Sequence, residues 1–419
     1  MNIPNKKWRL STLARSVEPA EIADEMRDFA ILNNTSIRAI FYLLRAFDEQ
    51  ISRGIEWDLE GLESEDAAAA RFASSIYKRG NIQSGSHKSP EVFYEKFYSE
   101  SVFTICDAQL FNLHSSAFAR KPDVLIESSE FNKSIETINN ILRLGPQSSK
   151  SWQVIGGGIV LDVGLFAADL LQKDATLIPT TFLSMIDVAI GGKCGVNYFG
   201  KNQLGRFARP KKIIIDDSFL DSLPIQEVRA GCAEAIKHAL IVGDLSLAKT
   251  ISMASHLGDL KIIKSFLEKL IQIKQQIVDI DPYDTGPRQI LNFGHTVAHA
   301  IETVFKESKI SHGEAVAMGI LIESFFAFKL NFLTEKDFID ISEILKNSKI
   351  ISNLAIESVF LSKKLILSSM LSDKKNRDTE TIAFAIPVGP GFYFNIKNPV
   401  TYLKISLVEG YFEENIQWK

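Results

Sequence analysis

The apolar positions change period twice along the chain. In the first 88 residues Ile37, Ile40, Phe41, Leu44 and Phe47 fall on one helical face, and the Ala-rich residues 63–77 continue the pattern, which predicts a self-contained helical segment. Residues 79–90 (RGNIQSGSHKSP) carry Gly, Ser and Pro and mark a linker. Short apolar runs then alternate with amphipathic ones. SVFTICDAQL (101–110) predicts a strand ending at Asp107, DVLIES (123–128) a second, and residues 130–142 an amphipathic helix. SWQVIGGG (151–158) predicts a buried strand ending in three glycines, IPTT (178–181) the end of another, and KKIIIDDSFLDSLP (211–224) one more with a turn. Alternating strands and helices imply a parallel α/β sheet. Beyond Pro224 the pattern is helical to about residue 372 and ends in the strand TIAFAIP and a Gly-Pro turn. Three regions follow: a helical extension over 1–88, an α/β domain over 89–224 and a mainly helical domain over 225–419.

The polar exceptions to this pattern carry the candidate chemistry. In parallel sheets ligands bind at the carboxyl ends of strands, where Asp107, Glu130 and the glycines of GGGIVLD sit. The triplet is not the dinucleotide fingerprint GxGxxG, but glycine admits close approach of backbone to a phosphate, and Asp162 and the hydroxyls of IPTT add to it. SMIDVAIGGKCGVNYFGKNQLGR gathers Asp187, Lys193, Asn197, Lys201, Asn202 and Arg206, with apolar residues on both flanks. It reads as a loop lining a pocket for a phosphorylated or carboxylated small molecule.

In QEVRAGCAEAIKHALI, Glu234 and Lys237 are three apart on an otherwise apolar helix, where a carboxylate and an ammonium need partners or a metal. Lys274 and Arg288 flank the break DIDPYDTGP. His295 and His299 are four apart on one helix face, and His312 opens a second apolar helix. Any one of these histidines alone fits a core residue or a cap. Three among seven, with Arg288, Asn292 and Glu314 interleaved, point to a site, and imidazoles on converging helices suit Zn²⁺. Position 296 is Thr, so the HExxH of a zincin-type protease is absent.

Composition narrows the partners. A chain of 419 residues with 46% hydrophobic content can bury the cores of two domains. The net charge of −4 and the lack of a long basic run argue against nucleic acid or an acidic membrane as partner. Cys106, Cys194 and Cys232 lie far apart without a CxxC, which suggests a reducing, cytoplasmic compartment. Residues 1–15 lack the apolar core of a signal peptide, and no run of about 18 apolar residues predicts a membrane span.

The segments GGGIVLD, IPTTFLSMIDVAIGGKCGVN, GKNQLG, FLDSLP, AEAIKHALI, LNFGHTVAHAIE, HGEAVAMGI and DKK occur in the order of the 3-dehydroquinate synthases, and the chain resembles that family, more broadly the sugar phosphate cyclases, over about two-thirds of its length. The resemblance implies a Rossmann-like NAD-binding domain followed by an all-helical metal-binding domain, with the active site between them. It implies a divalent metal, Zn²⁺ or Co²⁺, held by Glu234, His295 and His312, and moves His299 from ligand to substrate-phosphate contact. Lys193, Asn202, Lys237, Lys274, Arg288, Asn292 and Lys374 or its neighbour Lys375 match substrate-binding positions. Asp107, Glu130, Lys133, Gly158, Asp162, Thr180, Thr181, Asp187, Lys193, Lys201, Phe219 and Ser222 match NAD contacts.

The reaction so implied converts a seven-carbon keto-acid phosphate to 3-dehydroquinate and phosphate, with NAD used catalytically by a homodimer. Gly191, Gly192, Lys193, Arg288 and Asn292 favour this carboxylate substrate over the sedoheptulose or glucose phosphates of related cyclases. An iron-type alcohol dehydrogenase shares the two-domain plan but not the set Lys193, Lys201, Lys237 and Lys274, and that intact set also disfavours a non-catalytic binding module. One departure stands out. The family's cross-dimer arginine falls in VGLFAADLLQKDATLIPTT, here about two residues shorter, and the count places either Lys173 or Leu171 in its position.

Overall fold

The computed structural model of the protein describes residues 90–97, 102–145, 149–197, 202, 204–306, 310–371 and 380–414. The helical segment expected over 1–88, Lys201, Lys374 and Lys375 lie outside the described residues. The chain forms two compact units: one runs to Thr180 and takes in Gly192–Asp216, the other holds Thr181–Gly191 and all residues from Asp217. A single break at Pro224 was the simpler expectation. The chain crosses earlier because residues 184–191, read above as loop, form a π-helical turn (Ser184–Val188) and a short helical continuation packed on helices of the second unit.

The first unit is built on a six-stranded, all-parallel sheet. Its strands are β1 (Glu91–Tyr94), β2 (Phe103–Asp107), β3 (Val124–Ile126), β4 (Ser151–Gly156), β5 (Asp174–Pro179) and β8 (Lys212–Ile215), in the order β1-β8-β5-β4-β2-β3. The rest of the supposed loop, β6 (Lys193–Val196) and β7 (Leu204–Phe207), is an antiparallel hairpin. Central β2 is buried at all its positions, as a strand covered on both faces must be.

The helices α1 (Ala108–Leu113), α2 (Ile135–Leu144) and α3 (Gly158–Leu170) follow strands. α3 buries Val160, Leu161, Val163, Leu165 and Phe166 all round its circumference, so it sits inside the unit. The helix expected from residue 130 starts only at Ile135, because Ser134 caps it by accepting from Thr137 N at 3.3 Å. Glu130 and Lys133 therefore lie in the turn ahead of it, where Lys133 N donates to Ser129 O. The chain leaves β2 for β3 on one side and returns to β4 on the other. Asp107 and Gly156 thus end the two strands that flank the reversal of strand order, the usual ligand crevice of such sheets.

The second unit is mainly helical: α4 (Ile225–Ile241), α5 (Leu245–Leu257), α6 (Leu260–Ser265), α7 (Leu267–Ile280), α8 (His295–Val304), α9 (His312–Lys329), α10 (Glu335–Ser348), α11 (Asn353–Leu361), α12 (Lys363–Leu371) and α13 (Ile405–Glu413). It is not wholly helical, since β9 (Thr381–Phe384) and β10 (Thr401–Lys404) form an antiparallel pair. The centre is α9, buried from residue 315 to 327 and packed against α4, α8 and α10. Its start is set by a capping box in which Ser311 and Glu314 satisfy each other's backbone amides, so Glu314, a site candidate in the sequence, serves as a cap. Among the described residues no helix is long and apolar enough to cross a membrane.

Candidate metal and anion site

The polar exceptions of the helical unit converge. On α4, Glu234, Lys237 and His238 are 1%, 2% and 0% exposed, so the pair is not a surface i,i+3 bridge. Glu234 Oε1 lies 3.2 Å from His295 Nε2 and 3.8 Å from His312 Nε2. Its Oε2 is 2.5 Å from Lys237 Nζ, which donates to Leu291 O at 2.7 Å. The ligand atoms of Glu234, His295 and His312 all lie within 4.8 Å of one another, and one carboxylate with two imidazoles fits a zinc-type cation. His299, the third histidine, stands edge-on to His295 at 5.5 Å between ring centroids and outside this donor set.

Both imidazoles of this set are oriented from behind. His295 Nδ1 faces Phe293 O at 3.2 Å, and His312 Nδ1 faces Glu302 Oε1 at 3.0 Å, the supporting contacts that metal-binding histidines usually have. Burial works to raise the Glu234 carboxyl, but Lys237 and His295 outweigh it and hold it well below the usual range. Burial and Lys237 push His295 down. Burial opposes protonation of His312 too, but Glu234 and Glu302 prevail and lift it to about 9. A cation at this set would compete with the proton on His312.

Beside this set lies a group of buried cations. Lys274 and Arg288 are 6% and 3% exposed. Lys274 ion-pairs with Asp187, and Arg288 donates to Pro282 O at 2.8 Å and to Gly191 O. A Cβ on Gly191 would come 3.3 Å from the Arg288 guanidinium and 3.6 Å from Lys274 Nζ, so the glycine lets both cations close on the backbone. Burial pushes the Lys274 ammonium down to about 8 against the pull of Asp187. Lys274 and His238 hold the Asp187 carboxyl well below its usual range although burial opposes them. Asn292 ends the 3₁₀ turn Pro287–Asn292 that leads into α8. Thr181 is engaged locally, donating to Ser184 Oγ at 2.9 Å, and Ser222 donates to the carbonyl of buried Phe219.

In the first unit a second constellation forms at the strand ends. Asp107 caps α1 and accepts from Ser128. Lys133, 6% exposed, pairs with Asp162 of α3 at 2.5 Å. Glu130 Oε2 accepts from Asn197 Nδ2 at 2.7 Å, and Asn202 N donates to Asn197 Oδ1 at 2.8 Å. Thr180 N donates to Gly156 O, and Gly158 opens α3. Lys193 is exposed at the start of β6, over the Phe207 ring. Leu171 is buried in the core, whereas Lys173 is half-buried on the turn after α3, its N–H bonded to Ala168 O.

Sequence reasoning missed His238, Glu302, Ser128 and the role of Asn197 as the residue that holds Glu130. His238, which faces Asp187, follows Glu234 by four, and Glu302, which stands behind His312, follows His295 by seven, so helical spacing reaches both.

Residues 123–230 and 231–376 match family profiles described as 3-dehydroquinate synthase N-terminal and C-terminal. A 3-dehydroquinate synthase of Natranaerobius thermophilus is 34% identical over 340 residues, covering 74% of this chain and 89% of that one. Among solved structures, the 2-epi-5-epi-valiolone synthase ValA of Streptomyces hygroscopicus, with NAD⁺ and Zn²⁺ bound, superposes with a TM-score of 0.64 at 20% identity, covering 78% of this chain and 96% of that one. A 2-deoxy-scyllo-inosose synthase complexed with carbaglucose-6-phosphate, NAD⁺ and Co²⁺ gives 0.63 at 21% identity, with 80% and 93% covered. Both structures share the fold.

Proposed function

The chain belongs to the 3-dehydroquinate synthase family, and on that premise we propose that it is a carbon–oxygen lyase converting the seven-carbon keto-acid phosphate 3-deoxy-arabino-heptulosonate 7-phosphate to 3-dehydroquinate and phosphate. The observation that carries this reading is the set of buried Glu234 with half-buried His295 and His312, beside three buried cations, Lys237, Lys274 and Arg288, in one helical unit. Glu234, His295 and His312 would hold a divalent metal, Zn²⁺ or Co²⁺, which would supply a Lewis acid for a substrate hydroxyl. NAD, used catalytically, would supply the hydride acceptor, with no net production of NADH.

The chain's own residues do the rest. Lys274 and Arg288, desolvated and fixed by Asp187 and the Gly191 carbonyl, bind the substrate's anionic groups without further reorganisation. Arg288 offers the planar fork that matches a carboxylate, which favours the keto-acid over the sedoheptulose and glucose phosphates of related cyclases. Lys193, Asn202, Lys237, Asn292 and His299 complete the substrate contacts. In the first unit Asp107 and Glu130 offer carboxylates to ribose hydroxyls, and the start of α3 at Gly158 offers N–H groups to a pyrophosphate. Lys133, Asp162, Thr180, Thr181, Asp187, Phe219 and Ser222 complete the NAD set, and Lys173 supplies the cation to the partner's substrate phosphate in a homodimer.

Phosphate release and NADH absorbance, followed together with NAD⁺ and Zn²⁺, test the assignment. The keto-acid phosphate should release phosphate while the absorbance at the NADH band stays flat. Turnover of sedoheptulose 7-phosphate or glucose 6-phosphate instead, or steady NADH production from an alcohol, would overturn it.

A further inference from the structure

One charged side chain of α9 has no part in the site so far. Glu323 is 0% exposed, in a helix whose residues from 315 to 327 are otherwise apolar or small. The neighbouring helix α8, which carries His295 and His299, starts at Gly294 in the left-handed region (φ 80°) and has no side-chain cap of its own. The first N–H groups of a helix lack intrahelical acceptors. Glu323 takes two of them: Oε2 accepts from Gly294 N at 2.7 Å and Oε1 from Val297 N at 3.1 Å. These are the cap and third-residue amides that a capping box satisfies with two side chains of its own helix. Here one carboxylate from the adjacent helix does both.

Two glycines make the reach possible. A Cβ on Gly319 would come 1.9 Å from Gly294 O, and one on Gly294 would come 2.7 Å from Ile320 Cγ1. The start of α8 therefore lies against the backbone of α9. Glu323, one turn beyond Gly319, shares its face, as does His312 seven residues before it.

The contact leads directly to a candidate ligand. Gly294 N–H and Phe293 C=O belong to one planar peptide unit. That carbonyl faces His295 Nδ1 at 3.2 Å, and a carbonyl can only accept, so the bond places the proton on Nδ1. Nε2, 3.2 Å from Glu234 Oε1, is then the nitrogen presented to a cation. We propose that Glu323 is a positioning residue of the metal site: it fixes the Phe293–Gly294 peptide and, through it, the ring orientation and tautomer of His295. The inference rests on the metal reading of Glu234, His295 and His312.

Zn²⁺ affinity of the full-length chain, by competition with a chromophoric chelator, tests it in wild type, Glu323→Ala and Glu323→Gln, with melting temperature measured alongside. Phe326→Ala serves as the control for lost stability, since Phe326 is buried on the same helix and packs on Phe384 and Phe412. Glu323→Ala should weaken Zn²⁺ binding roughly 10–100-fold. Glu323→Gln keeps one acceptor and should lose less, and Phe326→Ala should bind as wild type despite a lower melting temperature. If Glu323→Ala does not fold, Glu323→Gln decides. Wild-type affinity in the folded Glu323 variants, or an equal loss in Phe326→Ala, overturns the inference alone. A wild-type chain that takes up no Zn²⁺ overturns the metal reading and this inference with it.

Discussion

The two units differ in how they hold charge, although each buries some: in the first, buried Lys133 pairs with Asp162. At the strand ends of the first, Glu130 and Asn202 are held by Asn197 near the surface, and Lys193 is exposed. In the second, Glu234, Lys237, Lys274 and Arg288 are almost fully buried among apolar helices, and burial together with charged neighbours shifts the ionisation of Glu234 and Lys274. Desolvated charges cost several kcal/mol each unless paired. On the proposed function the first unit holds most of the NAD contacts, and the buried charges of the second suit chemistry, where fixed charges act in a low dielectric.

The contrast predicts unequal mutational effects. The largest belongs to the metal set: His312→Ala should cut phosphate release by roughly 1000-fold or more, about 4 kcal/mol of barrier, measured under saturating substrate. Next comes Lys274. Its removal takes the paired ammonium from Asp187, which keeps only its weaker contact with His238, so Lys274→Ala should lower the melting temperature as well as raise KM.

Lys274 also gives a pH signature. Its ammonium ordinarily titrates at 10.5 and here at about 8. Between those values the unfolded chain binds a proton that the folded chain has lost, so this group's contribution to stability rises with pH across that window. Binding of an anionic substrate runs the other way, and kcat/KM should fall above about pH 8. Lys274→Arg should extend the plateau to higher pH, and an unchanged alkaline limb would remove Lys274 from that role.

In the first unit a smaller effect is expected. Lys133→Ala breaks the pair with Asp162 and should weaken NAD⁺ binding about tenfold, read by titration, with Zn²⁺ affinity unchanged. A loss of both would mean that the two units do not divide the work as described. Smallest is Lys173→Ala, at a half-buried turn: KM should rise a few-fold, because a lysine gives a phosphate a point charge and not a bidentate fork.

Much of this was legible in the sequence because each element broke its own pattern in a visible way. Asp107 ends an apolar run, and Glu234 with Lys237 interrupts an apolar helix face, so chemistry showed as the wrong residue type for its place. The stretch from Ser184 to Arg206 was read as one loop, since its glycines and lysines hide a helical turn and a hairpin that belong to different units. The start of α2 was misplaced because Ser134, a good cap, sits inside an amphipathic run. Glu323 was invisible as a cap: its partners are 29 and 26 residues away, and only packing at Gly294 and Gly319 brings them together.

The central claim is that Glu234, His295 and His312 hold one divalent cation. Elemental analysis of the purified wild type and Glu234→Ala, after equilibration with Zn²⁺ and removal of the excess, tests it most directly. The wild type should retain one equivalent per chain and Glu234→Ala close to none. Full occupancy in Glu234→Ala would contradict the assignment.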